Sequence, residues 1–377
     1  MKPSAIRRML DYSAGMENLV HFEQGEPDFA TPEHIVDAAV KAARDGFTHY
    51  TEVDGTLDLR QAIAEKLRNE NGIYADAKTD VTVTSGSQEA MLVTALGFLN
   101  RGDEALVLDP YYPAYFEDTL IAEAKPVTVP FDEGRNYDVD VEALEEKITE
   151  KTKIIWMCNP CNPTGHVFSK RTLERISEVA QEHDLIVFAD EIYEKLVYDG
   201  TEHRSIGSMP GMEDRTITVN GFSKAYAMTG WRIGYMVAEK KLSATLRKLH
   251  YYAVLCPNAI SQKAAVAALT GPQDCLQEML GEYSRRRKLV IDQLNLIKSL
   301  PYTVPKGAFY VFPDFSAFEE SDEALALRLL KEAGVVTVPG SGFGTNGKGH
   351  LRISYSVSYE QVKEGMKRIR TCLSHKA

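Results

Sequence analysis

An α/β fold built on a mostly parallel sheet is predicted by three features of the sequence: short apolar runs, amphipathic stretches between them, and polar turn-forming residues at the ends of the runs. The strand candidates are 80–84, 104–108, 153–157, 185–189, 216–219 and 233–238, and helical patterns occupy 88–100, 141–147 and 170–183. Strands that alternate with helices give a parallel sheet covered on both faces. Such sheets bind ligands at the carboxyl ends of their strands, in the loops leading to helices. After residue 284 the pattern changes. A basic helical stretch (283–299) precedes strand, helix and strand patterns at Tyr310, 325–332 and 351–355. A chain of 377 residues exceeds one simple core, so the expected division is a large domain over 41–284 and a smaller α/β domain made of 1–40 with 285–377. The run Arg285-Arg286-Arg287 reads as a solvated helix face rather than a binding patch.

Composition narrows the partners. A net charge of −11 argues against nucleic acid or an anionic membrane, both of which need a basic surface. No apolar run approaches the roughly 20 residues that span a bilayer. The opening residues lack the apolar core of a signal peptide. Five scattered cysteines suit a reducing, cytoplasmic setting better than a disulfide framework. Cys158-Asn-Pro-Cys161 imitates a metal or redox half-site, but no second pair accompanies it.

The residues able to carry chemistry cluster at the predicted strand ends. In Thr84-Ser-Gly-Ser-Gln-Glu-Ala90 a strand turns into a helix, and the amides of Gly86, Ser87 and Gln88 form a ready anion site. An ordinary serine cap explains that loop equally well. Asp190 ends the run Leu185-Ile-Val-Phe-Ala189, where a buried carboxylate is costly unless paired. In Asn220-Gly-Phe-Ser-Lys224, Lys224 sits on a turn, the setting a Schiff-base lysine needs to reach a carbonyl carbon. Arg232 follows eight residues later and suits a phosphate, because guanidinium binds its oxygens bidentately. Gly342-Phe-Gly-Thr-Asn-Gly347 matches a dinucleotide fingerprint but leads into a strand pattern, so a nicotinamide site is rejected.

Taken together these motifs resemble the class I/II aminotransferases of fold-type I, which depend on pyridoxal 5'-phosphate. The resemblance runs from about Gly25 to Tyr355 with the motifs in the family's order. It implies an aminotransferase with a ping-pong mechanism through a Lys224 Schiff base. Asp190 is then the partner of the pyridine nitrogen, and Tyr193 and Asn162 (in Asn159-Pro-Cys-Asn-Pro-Thr-Gly165) the donors to the ring oxygen. Tyr112, in Asp109-Pro-Tyr-Tyr-Pro113, matches the aromatic that stacks on the ring, while Tyr111 and Tyr115 read as core. The phosphate falls to Gly86, Ser87, Gln88 and Arg232, with Tyr50 reaching it from the partner subunit of a homodimer. Gly25, Asn162 and Arg352 match the groups that hold the substrate carboxylate. The bonds Asp109–Pro110 and Asn162–Pro163 are expected to be cis. One departure is visible: the position three before the lysine is Gly221 where many relatives have a phosphate-binding serine, and Ser223 is the substitute at hand. A carbon–sulfur β-lyase would use the same lysine and ring electronics. A cofactor-sensing transcription regulator would need a DNA-binding domain. The donor side chain is not legible.

Overall fold

A computed structural model describes residues 4–132, 134, 138–318 and 320–374. Met1–Pro3 and His375–Ala377, the ends of the expected small domain, lie outside the described residues. Helix α1 (Ala5–Ser13) and strand β1 (Val20–His21) lead to α2 (Glu33–Arg44) and α3 (Leu57–Lys66). Then come β2 (Val81–Thr84), α4 (Ser87–Phe98), β3 (Glu104–Asp109), α5 (Pro113–Ile121), β4 (Lys125–Asp132), β5 (Asp138–Val139), α6 (Val141–Glu145) and β6 (Thr152–Cys158). Helix α7 (Lys170–Glu182), β7 (Ile186–Asp190), β8 (Thr216–Gly221) and β9 (Gly234–Val237) complete an eight-stranded sheet of order β2-β9-β8-β7-β6-β3-β4-β5. Helices α8 (Lys240–Val254), α9 (Ala259–Thr270) and α10 (Asp274–Leu294) follow. The last part carries β10 (Tyr310–Val311), α11 (Asp322–Arg328), β11 (Val335–Val336), β12 (Val338–Pro339), β13 (Leu351–Ser354) and α12 (Tyr359–Ser374).

The central strands are buried on both faces, which is why they read as continuous apolar runs. Successive side chains alternate between two cores. Ile154 and Trp156 of β6 join Phe188 of β7 on one side, while Ile155 and Met157 join Val187 and Ala189 on the other. Strands β3, β6, β7 and β8 run parallel, and β9 runs antiparallel to both β8 and β2. The carboxyl ends of β2, β3, β6, β7 and β8 therefore meet on one edge, where β9 begins. In the last part β1 pairs with β11, and β13 lies between β10 and β12. The glycine run 342–347 forms tight turns ahead of β13 with no helix after it, in keeping with the rejected nicotinamide site.

Two expectations are corrected. The basic helix, expected over 283–299, runs from Asp274 to Leu294. The arginine run is not a solvated face: Arg286 is 4 % and Arg287 5 % exposed. Arg286 pairs with Asp28 at 2.7 Å and Glu282 at 2.9 Å and donates to the Ser356 carbonyl. Arg287 reaches Asp199 at 2.8 Å and the Pro305 carbonyl. The helical turn sets one arginine outward, Arg286 against Asp28 and Ser356, and Arg287 against Asp199 and Pro305, which charge alone cannot reveal. Removing Arg286 leaves the Ser356 carbonyl unpaired and a void beside Phe29 and Tyr283, at a cost of about 2 kcal/mol, while Asp28 and Glu282 are exposed enough to stay hydrated. Arg286→Ala should lose about that much in urea unfolding while Arg285→Ala loses under about 0.5 kcal/mol; equal effects would contradict the assignment.

Candidate active site

The shared strand edge opens into a cavity of about 500 Å³. Its lining includes Gly25, Ser87, Gln88, Tyr112, Asn162, Asp190, Tyr193, Lys224, Arg232 and Arg352, ten of the residues singled out from sequence. Gly86 lies beneath it. Tyr50 does not: it is 84 % exposed, beside a separate depression with His49, Cys256 and Pro257.

One end of the cavity is built for an anion. Gly86 takes φ +80° as the residue before α4, and a Cβ there would lie 2.7 Å from the Arg232 guanidinium. Only glycine lets the cation sit over the amides of the first helical turn. Arg232 is itself left-handed at φ 52°, with one nitrogen bonded to the Thr229 carbonyl at 3.0 Å. A side chain at Gly221 would press on the Cα of Gly234 at 3.1 Å, so packing against β9 accounts for the glycine at this position. Ser223 faces the cavity instead.

The floor holds Asp190, the last residue of β7. One oxygen accepts from Tyr115 at 2.7 Å and the other from the Ile192 amide at 3.2 Å. Burial pushes this carboxyl up to about 6, against the lowering effect of those two donors. Tyr115 is core, as expected, but it does more than pack. It is fully buried and stacked on Trp156, yet its hydroxyl serves the site. Its signal was its place three residues past Tyr112, at the next turn of α5.

Lys224 donates to the Gly25 carbonyl, so the described contact of Gly25 is through its oxygen. Desolvation lowers the amine to about 8, with Glu26 and Asp190 opposing and Arg352 and Arg232 assisting. Tyr193 shares a 2.9 Å hydrogen bond with Tyr310, a cavity residue unseen in the sequence. The far end holds Arg352. Its two terminal nitrogens donate to Asn162 Oδ1 at 3.0 Å and the Glu23 carbonyl at 2.6 Å, and its Nε lacks a partner. Both described acceptors are neutral, so a fully buried guanidinium is left without a carboxylate. Tyr112 stands over the floor and donates to Gln88 at 3.2 Å. Both Asp109–Pro110 and Asn162–Pro163 are cis, as expected, and Asn159–Pro160 is a third.

The geometry has counterparts. The family model for aminotransferase class I and II matches residues 17–369. This chain belongs to that family. An aspartate aminotransferase of Pyrococcus abyssi is 43 % identical, the alignment covering 100 % of this chain and 97 % of the relative. An aromatic-amino-acid aminotransferase of Thermococcus litoralis is 42 % identical over 100 % and 97 %. The solved aspartate aminotransferase of Thermus thermophilus with maleate superposes at TM-score 0.93 with 37 % identity, covering 99 % of this chain and 97 % of that one. The family chain is thus an aminotransferase of fold-type I, and the β-lyase alternative finds no support among these relatives.

The lowered lysine yields a prediction. In the apoprotein, acylation of Lys224 should follow an amine titrating near 8, so the folded state gains stability as pH rises from about 8 toward the ordinary 10.5. The sign follows because the folded form resists protonation. Peptide mapping of acetylation rates against pH checks it; a midpoint above 10 would contradict the desolvated setting.

Proposed function

We propose that the chain is a pyridoxal 5'-phosphate dependent aminotransferase that moves the amino group of an L-amino acid to a 2-oxo acid by a ping-pong route. It would act as a cytoplasmic homodimer with shared sites. The observation that carries this is the spacing of charges in one cavity: a phosphate-shaped cup, a buried carboxylate, a lysine titrating near 8, and a buried arginine whose described partners are both neutral. The residues fit the cofactor. Gly86, Ser87 and Gln88 amides with Ser223 and Arg232 would hold its phosphate, Asp190 its ring nitrogen, Asn162 and Tyr193 its ring oxygen, and Tyr112 its face. When bound, the cofactor supplies a carbonyl carbon for the lysine and an electron sink for the substrate Cα.

The chain's own groups do the rest. Arg352, with Asn162 Oδ1 beside it, grips the substrate carboxylate bidentately and offsets its own buried charge. Lys224, neutral above about pH 8, would take the Cα proton and return it, from the same side, to the carbon that becomes the amine carrier. Asp190 stays anionic beside a cationic ring, which would draw its carboxyl back down from about 6. Tyr50, exposed in one protomer, is offered to the phosphate of the other. Five free cysteines fit the reducing compartment, and no helix among the described residues is long and apolar enough to cross a membrane. The division into 41–284 and 1–40 with 285–377 is likewise proposed, with α10 spanning the junction.

Lys224→Ala should remain folded and abolish transamination, whereas an equal-rate variant, or borohydride trapping at a different lysine, would sink the assignment. Half-reactions followed by absorbance identify the donor, starting with aspartate and the aromatic amino acids named by the relatives. Mixing inactive Lys224→Ala with an inactive Tyr50→Glu variant should restore activity, since one composite site in each heterodimer is intact. No recovery after verified subunit exchange would rule out shared sites.

A further inference from the structure

Behind the phosphate cup lies a buried histidine that the chemistry above does not use. His250 of α8 is fully buried. Its Nδ1 meets Glu89 Oε1, and its Nε2 lies 2.7 Å from the Val53 carbonyl. The other oxygen of Glu89 accepts from the Ser85 amide at 2.6 Å. A carbonyl can only accept, so Nε2 carries a proton and donates to Val53. Nδ1 and Glu89 Oε1 share a second proton, so the ring is fastened at both nitrogens. Asp54, the other acid nearby, is already paired with Arg60 at 3.3 Å and Arg247 at 3.1 Å.

The pair joins two segments that have no covalent reason to move together. Ser85 begins the turn that presents Gly86, Ser87 and Gln88. Val53 lies three residues after Tyr50, in a loop that Gln262 also fastens at Thr51 and Thr56. We propose that His250 is a positioning residue for the cofactor phosphate, holding through Glu89 the cup of its own site and through Val53 the loop that offers Tyr50 to the partner's site. The cup half stands on geometry alone, and the loop half rests on the shared-site reading above. It follows that the two phosphate sites of a dimer are tied through one buried histidine on each chain.

The test is titration of the apoenzyme with pyridoxal phosphate, read by quenching of intrinsic fluorescence, with thermal melting in parallel. Losing a hydrogen bond to a charged group weakens binding about tenfold. His250→Gln and Glu89→Gln should each bind about tenfold more weakly while staying folded, and Tyr50→Phe should lose about as much. The Tyr50→Phe, His250→Gln double variant should lose well under the hundredfold product, because without its anchor the loop no longer presents Tyr50. Losses that multiply would overturn the loop half, and wild-type affinity in His250→Gln would overturn the cup half. A Tyr50→Phe protein of unchanged affinity would instead defeat the shared-site reading and the loop half with it. Nitrogen NMR of the wild type should show His250 Nε2 protonated; a ring protonated only at Nδ1 would overturn the bond to Val53.

Discussion

Asp190 ends a central strand with 3 % of its surface exposed, and taking an ionised carboxylate out of water costs several kcal/mol unless its oxygens are satisfied. The surrounding structure is arranged to carry that cost. Tyr115 comes from α5 to one oxygen, and the backbone of the next turn supplies the Ile192 amide to the other. Two donors do not bring the carboxyl down to its ordinary value, so a cationic ligand is what the site lacks energetically. Placing the unsatisfied charge on the floor, with a cup for phosphate at one end and Arg352 at the other, orients any ligand that bears those groups. The same burial that penalises Asp190 desolvates Lys224 and makes its amine a base near neutral pH.

Strand direction makes this possible. The loops after β2, β3, β6, β7 and β8 reach a common edge because those five strands share one orientation, and β9 returns antiparallel to deliver Arg232 at its start. Glycines at 86, 221 and 234 let the phosphate cup, the lysine turn and β9 approach within van der Waals distance. Arg352 arrives from β13, in a different sheet, so closing the cavity needs the packing of the last hundred residues against the first forty. The Arg286 bridge from α10 to Asp28 is one of the contacts that fixes this.

Much of this was legible because it is local. The six strands anticipated in the sequence lie within one or two residues of their observed ends, since parallel strands buried on both faces announce themselves as apolar runs. Strand β4 escaped notice because Pro126 and Pro130 interrupt it; β5 covers only Phe131 and Asp132, so most of its outer edge is free and the missing amides cost no ladder bond. The site residues within motifs were legible for the same local reason. Tyr115, Tyr310 and the His250–Glu89 pair were not, because each acts on a partner about 75 to 161 positions away and has no motif of its own. The role given to Tyr50 rests on the resemblance alone, and a single protomer leaves it in solvent.

The claim that Asp190 is a costly charge kept for chemistry rather than for folding is tested most directly by Asp190→Asn, measured twice. The rate of Cα proton removal in the half-reaction should fall by about a thousandfold, the scale of losing one such electrostatic interaction. The urea midpoint of the apoprotein should hold or rise, because a buried carboxylate has been replaced by a neutral amide of the same shape. A variant that kept near-normal rates while losing stability would show Asp190 to be a structural strand-end carboxylate and would contradict the account.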